Sequence, residues 1–241
     1  MPSIQSGETS IYYEEFGSGY PVLLIAPGGL SSAIEKWENA TINPLNEFAE
    51  DFRLVAMDQR NAGNSRSPFP VDHPWDAYAQ DQIGVMDALG YERFHLFGCC
   101  IGGPFALKLT YAHQDRVSAV VLEQPMGLIP ANHQGWKDRC HDWVTAIVVD
   151  RPDLDETLGH HFVDHMWGQD FVASLIRDEV RAIRAPTCVL PGVDEIHPSE
   201  IGHEIARLIP GAVTISPWKD SPEHARLATT KIREFLLSHT P

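Results

Sequence analysis

The stretch LFGCCIGGPFA, residues 96–106, sets two cysteines side by side between an apolar run and a segment rich in small residues. Gly98 and Gly102 stand two residues before and two residues after Cys100. The apolar run predicts a buried strand, and the residues that follow predict a helix. Cys100 therefore falls at a strand-to-helix turn, where the Gly-x-Ser-x-Gly motif carries its nucleophilic serine.

A turn of this kind strains the backbone of its central residue and projects that side chain into a crevice. The positive end of the following helix favours the ionised form of a thiol, so we expect Cys100 to be a thiolate nucleophile. Cys99 is expected to point into the interior as a small apolar residue.

Composition predicts a single domain spanning 1–241, because the chain is long enough for one substantial core and has no low-complexity linker. Acidic residues outnumber basic ones by 33 to 18, which gives a net charge of −15 and disfavours nucleic acid and membrane surfaces as partners. The N-terminus lacks the features of a signal peptide, and no apolar run approaches the ~20 residues of a membrane helix, so a cytoplasmic location is expected. The four cysteines are expected to be free thiols. The sequence leaves a homodimer open.

Short β-branched runs alternate with amphipathic segments, which predicts an α/β fold with a mostly parallel sheet and helices on both faces. Residues 10–26 predict two strands joined by a Gly-rich hairpin turn. Residues 124–180 predict a small helical cap, because a structureless loop of that length is improbable in a compact domain. Further strands are predicted at 53–57, 94–98, 117–123, 187–192 and 212–217, and helices at 74–89, 102–113, 199–208 and 223–238.

Three further segments, in order along the chain, are VLLIAPGGL (22–30), VAMDQRNAGNSRSP (55–68) and IRAPTCVLPGVDEIHP (183–198). Together with the turn at Cys100, they make the chain resemble the α/β-hydrolase superfamily over nearly its whole length. Pro27 stands where many members have His, and Asn61 stands where many have Gly. A cysteine nucleophile is shared with dienelactone hydrolases and polyester synthases but not with most esterases of this fold.

The resemblance implies a catalytic triad in the order nucleophile, acid, histidine. Asp194 follows a predicted strand and is the first choice for the acid, with Glu123 as the alternative. His224, between the last strand and the closing helix, is the first choice for the base. His197 and His203 are the rivals, and both are expected on the outer surface.

The oxyanion of an acyl-transfer reaction needs backbone N–H donors, for which we expect Ile101 and Gly29. The residues predicted to contact substrate are Leu30, Trp37, Glu123, Met126, Trp143 and Trp167. Trp136 and Phe162 add aromatic area to the predicted cap, where aromatics equally serve as the cap's own core. His161 and His165 lie one helical turn apart, but no metal site and no cofactor are predicted.

These features favour hydrolysis of an ester, lactone or thioester through a covalent acyl-Cys100 intermediate, with a small acyl compound as the partner. Three alternatives stand beside this interpretation. The same cysteine can transfer its acyl group to an alcohol or amine, or attack a ketone beside a breakable carbon–carbon bond. The fold also serves in non-catalytic ligand receptors.

Overall fold

Eight strands form the sheet at the centre of the protein, in a computed structural model that describes residues 2–241. The strands are β1 (Ser3–Ser6), β2 (Thr9–Phe16), β3 (Tyr20–Ile25), β4 (Phe52–Met57), β5 (Phe94–Cys99), β6 (Val117–Glu123), β7 (Thr187–Leu190) and β8 (Val213–Thr214). Their order across the sheet is β1-β2-β4-β3-β5-β6-β7-β8. The pairs from β4 onward are parallel, and β1 and β2 form an antiparallel edge.

Helices flank this sheet, and the predicted α/β class is confirmed. They are α1 (Pro44–Glu47), α2 (Pro74–Ala88), α3 (Gly102–Ala112), α4 (His133–Asp150), α5 (Glu156–Met166), α6 (Arg177–Arg181), α7 (Ser199–Leu208) and α8 (Pro222–Ser238). The central strands β5, β6 and β7 are buried at every position, as expected of parallel strands covered by helices. This burial explains why the sequences of these three strands are continuous apolar runs. In residues 2–241, no helix combines the length and the apolar character that a bilayer crossing requires.

The predicted hairpin between β2 and β3 is wrong. Strand β4 lies between them, paired antiparallel with β2 and parallel with β3. The glycines of the connection do not form a hairpin turn. Gly17 and Gly19 have positive φ angles of 67° and 112°. A Cβ atom on Gly17 would lie 2.1 Å from the carbonyl oxygen of Ala49. These glycines therefore allow the chain that enters β4 to pass close by.

Three helices, α4, α5 and α6, occupy the interval between β6 and β7 for which a cap is predicted. Lys137 on α4 and Asp164 on α5 form an ion pair of 2.7 Å, which joins the first two of these helices. Helix α4 also contacts the segment Gly29–Ser31 that follows β3. This packing brings one face of α4 to the carboxyl ends of the parallel strands, where α/β sheets bind ligands.

We expect Gly102→Ala to lower the free energy of unfolding by roughly 1–3 kcal/mol. A Cβ atom at Gly102 would lie 2.2 Å from the carbonyl oxygen of Ile25, so the first turn of α3 or the end of β3 has to shift. Gly135→Ala is the matched control, because its Cβ has no atom within 4 Å and alanine favours the helix. Urea denaturation followed by circular dichroism measures both variants. Equal stabilities would contradict the close backbone approach.

Candidate active site

Cys100 lies at the turn between β5 and α3 with a φ angle of 57°, in the left-handed region that non-glycine residues rarely adopt. Two backbone hydrogen bonds hold this conformation. The N–H of Cys100 donates to the carbonyl of Glu123 at 3.0 Å, and the N–H of Met126 donates to the carbonyl of Cys100 at 3.0 Å. A Cβ atom on Gly98 would lie 2.2 Å from the carbonyl oxygen of Gly102. The flanking glycines therefore permit a turn that larger residues would obstruct.

The sulfur of Cys100 meets backbone amides from two segments. The N–H groups of Gly28, Ile101 and Gly29 hydrogen-bond it and lower its pKa. Gly28 and Gly29 reach this arrangement with φ angles of 119° and 60°. The two residues predicted to supply oxyanion donors, Ile101 and Gly29, thus both direct an amide at the sulfur. The predicted role itself stays a prediction.

The segment after β4 supports the loop that carries Gly28 and Gly29. The N–H of Gln59 donates to the carbonyl of Ser32 at 2.9 Å, and the N–H of Ile34 donates to the carboxylate of Asp58 at 2.8 Å.

Asn61 has a φ angle of 58°, which asparagine tolerates better than most residues. Asparagine at this position therefore preserves the backbone conformation that a glycine would adopt.

Burial raises the pKa of the Cys100 thiol to about 11, although the three amides oppose this shift. The expectation of a thiolate at rest is therefore wrong: at neutral pH the group is a thiol, because loss of hydration outweighs the amides and the helix dipole. Cys99 is fully buried, as predicted. A base must accept the proton of Cys100 before its sulfur can act as a nucleophile.

An imidazole next to Asp194 shares the cavity of Cys100, and it belongs to His197. Its Nδ1 atom lies 2.8 Å from Oδ1 of Asp194. The same oxygen accepts the backbone N–H groups of Ile196 at 3.0 Å and His197 at 2.9 Å. The His197 side chain is only 11% exposed. Within residues 2–241, its Nε2 atom is buried and has no hydrogen-bond partner. The expectation that His197 faces the outer surface is wrong.

His224 is not at the Asp194 carboxylate, and it does not line the cavity of Cys100. His224 is the third residue of α8, which begins at Pro222, so the helix carries it and the connection of residues 215–221 after β8 does not. Its backbone N–H donates to Oγ of Ser221, the residue that caps the helix, at 3.1 Å. The prediction of His224 as the base therefore lacks support from the geometry. His203 is exposed on α7, as expected.

Lys219 is the residue after β8 that does reach the acid. Its Nζ atom lies 3.6 Å from Oδ2 of Asp194 and donates to Oε1 of Gln124 at 2.6 Å. Burial lowers the pKa of His197, the Asp194 carboxylate raises it, and the Lys219 charge lowers it, so the pKa ends below its ordinary value. Burial raises the pKa of Asp194, but His197 and Lys219 outweigh this effect and leave the pKa lowered. Near neutral pH the pair is an imidazole and a carboxylate.

A cavity of about 320 Å³ opens in front of Cys100 and His197. It contains Leu30 and Trp143, two of the residues predicted to contact substrate. Its other lining residues are Gly28, Gly29, Ser31, Trp136, Arg139, Cys140 and Ile196. Four members of this set, at positions 136, 139, 140 and 143, are spaced at three and four residues on α4 and therefore share one helix face. That spacing was the available signal for Arg139 and Cys140, which sequence reasoning missed.

Trp37, Met126 and Trp167 do not line this cavity, and each is at most 1% exposed. Trp37 packs edge-on against Phe97, with ring centroids 5.8 Å apart. Trp167 packs edge-on against Trp75 and Trp136, with ring centroids 5.3 Å and 5.5 Å apart. The prediction that these three residues contact substrate lacks support from this geometry, because their side chains are buried in the core.

Glu123 also lies outside the cavity and is fully buried. Its Oε1 atom accepts the N–H of Ile42 at 3.3 Å. Burial raises the pKa of Glu123 to about 8, and the hydrogen bonds from Ile42 and Cys99 only partly oppose this shift. A carboxyl group that is neutral at pH 7 cannot replace Asp194 as the ionised partner of an imidazole. The alternatives of substrate contact and catalytic acid are therefore both unsupported for Glu123.

We expect iodoacetamide to modify Cys100 before the other cysteines. Cys100 is the most exposed of the four, at 7%, and its pKa of about 11 is below the values of about 12 for Cys140 and Cys188. Because the thiolate is the reactive form, the rate should keep rising with pH above neutrality. Peptide mapping by mass spectrometry measures the rate, with Cys100→Ser as the control. Faster modification of Cys140, or a plateau near neutral pH, would contradict this prediction.

A family model described as alpha/beta hydrolase fold matches residues 21–160. The chain is 31% identical to 2-hydroxymuconate semialdehyde hydrolase of Pseudomonas sp. (strain CF600), over 74% of its own length and 58% of that protein. It is 25% identical to a soluble epoxide hydrolase of Corynebacterium sp. (strain C12), over 69% of its own length and 62% of that protein. The chain thus spans less than two thirds of either relative.

Two solved structures resemble the fold along almost its full length. A meta-cleavage product hydrolase from Pseudomonas fluorescens IP01 superposes with a TM-score of 0.73 and 19% identity, covering 100% of this chain and 98% of that chain. The enol-lactonase from Burkholderia xenovorans LB400 gives a TM-score of 0.72 and 19% identity, covering 98% and 100%. The sheet order, the matched family model and these neighbours agree, and the chain belongs to the α/β hydrolase family.

Proposed function

We propose that the protein is a hydrolase of activated acyl compounds, namely esters, lactones or thioesters, with Cys100, His197 and Asp194 as its catalytic triad. One observation carries the proposal. The Nδ1 atom of His197 is bonded to Asp194, while its buried Nε2 atom has no partner among residues 2–241 and the ring shares a cavity with the Cys100 thiol. A base oriented by an acid, with its second nitrogen free, is the arrangement that activates a nucleophile.

In the proposed reaction, Nε2 of His197 accepts the thiol proton as the sulfur of Cys100 attacks the carbonyl carbon. The tetrahedral intermediate then collapses, the bond to the leaving group breaks, and that group takes the proton from the imidazolium. A thioester on Cys100 remains. His197 next removes a proton from water, the resulting hydroxide attacks the thioester, and the acid product leaves as Cys100 regains its proton.

The amides of Gly28, Gly29 and Ile101 are suited to the oxyanion of this intermediate. They lie next to the sulfur. The sulfur attacks the carbonyl carbon, and the oxygen bonded to that carbon is therefore also close to these amides. Each such donor contributes about 3 kcal/mol to transition-state stabilisation in well-studied hydrolases. The lowered pKa of Asp194 supports its role as the ionised partner of the imidazolium that forms.

Thiol chemistry favours activated substrates. A thiolate leaves a tetrahedral intermediate more readily than a plain alkoxide does, so an ordinary alkyl ester tends to revert to substrate. A lactone with an enol leaving group, or a thioester, has a leaving group that competes with the sulfur. The proposed substrate class follows from this balance.

A second candidate is the hydrolysis of an oxo compound by attack of Cys100 on its ketone. The names of several relatives favour it, among them a 2-hydroxy-6-oxo-6-(2'-aminophenyl)hexa-2,4-dienoic acid hydrolase of Metapseudomonas resinovorans, 24% identical over 86% of this chain and 79% of that protein. The same residues would act on the ketone, and a carbon–carbon bond would break in place of the ester bond. Product analysis separates the two candidates.

We expect Cys100→Ala to abolish hydrolysis of an enol lactone or aryl thioester, and His197→Gln to lower kcat about 10²–10⁴-fold. His224→Gln is the matched control and should retain the wild-type rate, because within residues 2–241 His224 has no hydrogen bond to Asp194 and does not line the cavity. Steady-state kinetics measure the rates, and intact-protein mass spectrometry detects the acyl adduct on Cys100. Loss of activity in His224→Gln with an active His197→Gln would reverse the assignment of the base.

The pH profile of kcat/KM should have an acidic limb set by His197, below the ordinary histidine value of 6.5, because the lowered pKa keeps the imidazole neutral. Lys219→Met removes a positive charge that disfavours the imidazolium. The pKa of His197 then rises, and the acidic limb moves to higher pH. Lys219→Arg keeps the charge and should leave the limb near its wild-type position. An identical profile in Lys219→Met would contradict this electrostatic role.

A further inference from the structure

We propose that the cavity of Cys100 binds substrates that carry a carboxylate, and that the guanidinium of Arg139 recognises this group. The inference rests on the proposed function for the reaction itself, and it specifies the chemical class of the substrate. Arg139 lies on the face of α4 that lines the cavity, between Trp136 and Trp143.

Arg139 lines two cavities, which we call the inner and the outer lobe of the cleft. The inner lobe is the cavity of Cys100, and the outer lobe is an adjoining cavity of about 270 Å³. Trp136, Arg139 and Ile196 line both of them. Arg139 is therefore part of the wall that a ligand in either lobe contacts.

The guanidinium is free to bind such a ligand. Within residues 2–241, Arg139 has no carboxylate within 4 Å and no side-chain hydrogen bond, whereas Lys137 on the same helix is paired with Asp164. The chain has 33 acidic residues against 18 lysines and arginines, so partners are abundant. Arginine binds carboxylates through two parallel hydrogen bonds, which makes a carboxylate the best match to this donor.

The surroundings of Arg139 determine the rest of the ligand. The indole rings of Trp136 and Trp143 and the side chain of Leu30 provide apolar walls in the inner lobe. Arg139 itself is exposed, like Arg207, so a carboxylate reaches it from solvent while the rest of the ligand contacts these walls. Arg139 is the single lysine or arginine among the lining residues of both lobes, and Glu195 is the single carboxylate. The ligand that fits is an apolar or ring-containing acyl compound with one carboxylate.

The whole-protein charge does not account for such a preference. A net charge of −15 repels anions at long range, so affinity for a carboxylate has to come from a local cation. Arg207 on α7 provides the matched control. It is exposed, has no ion pair within residues 2–241 and lines neither lobe, so its replacement changes the net charge by the same amount.

The test compares phenylacetate with phenylacetamide, which have similar shapes and differ in charge. Tryptophan fluorescence or calorimetry gives the Kd of each compound for wild type, Arg139→Gln and Arg207→Gln. We expect wild type to bind the acid about tenfold more tightly than the amide. Arg139→Gln should lose that preference and Arg207→Gln should keep it. Arg139→Lys should retain part of it, because the charge persists without the paired donors.

Equal affinities of the acid and the amide for wild type, or an unchanged preference in Arg139→Gln, would overturn the inference. An equal loss in Arg207→Gln would also overturn it, because the effect would then belong to the net charge. Since the assay measures binding, its outcome is independent of turnover. If the protein prefers the acid but Cys100 catalyses no hydrolysis, the proposed reaction is contradicted and the carboxylate site is retained. If Cys100 catalyses hydrolysis but the protein shows no preference for the acid, the carboxylate site is contradicted and the proposed reaction is retained.

Discussion

The close approach of three backbone segments at Gly98 and Gly102 is the constraint on which the site depends. A Cβ atom at either glycine would meet a carbonyl oxygen at 2.2 Å, so only glycine lets β5 turn directly into α3 against the end of β3. This contact fixes the left-handed backbone of Cys100 and brings its sulfur to amides from the loop after β3. The positions of the Cys100 sulfur and of the amides around it are therefore consequences of one packing contact between main chains.

The same burial that positions the sulfur also suppresses its ionisation. Three amides and a helix terminus favour the thiolate, yet loss of hydration dominates and keeps the pKa of Cys100 near 11. A resting thiol in a partly apolar cavity depends on a neighbouring base more strongly than an exposed cysteine does. In the proposed triad that base is the neutral imidazole of His197, bonded to Asp194, and the Lys219 charge contributes to the lowered pKa of both groups.

Local sequence patterns predicted the fold and the turn at Cys100. They failed for two features that depend on the tertiary structure, the pairing of β2 and the position of the histidine next to Asp194. The strands β5, β6 and β7 are evident because burial on both sides leaves continuous apolar runs. Glycines between β2 and β3 suggested a hairpin, but β4 inserts between these strands, which no local signal reveals. The position of a histidine after the last strand suggested His224, but that residue lies in the first turn of α8, beyond the connecting residues 215–221. Asp194 instead binds the imidazole three residues beyond it, in a turn that its own carboxylate stabilises.

Helix periodicity identifies the cavity wall better than aromatic content does. Trp143 and Trp167 are equally aromatic, yet only Trp143 shares the face of α4 that includes Arg139 and faces Cys100. Trp167 follows α5, and its indole is buried against Trp75 and Trp136. Overall charge is equally uninformative about the cleft, because a strongly acidic chain still places in the cavity of Cys100 one guanidinium that has no ion pair within residues 2–241. The composition of the cavity wall therefore depends on which residues share a helix face, since spacing along α4 decides which charges and rings line it.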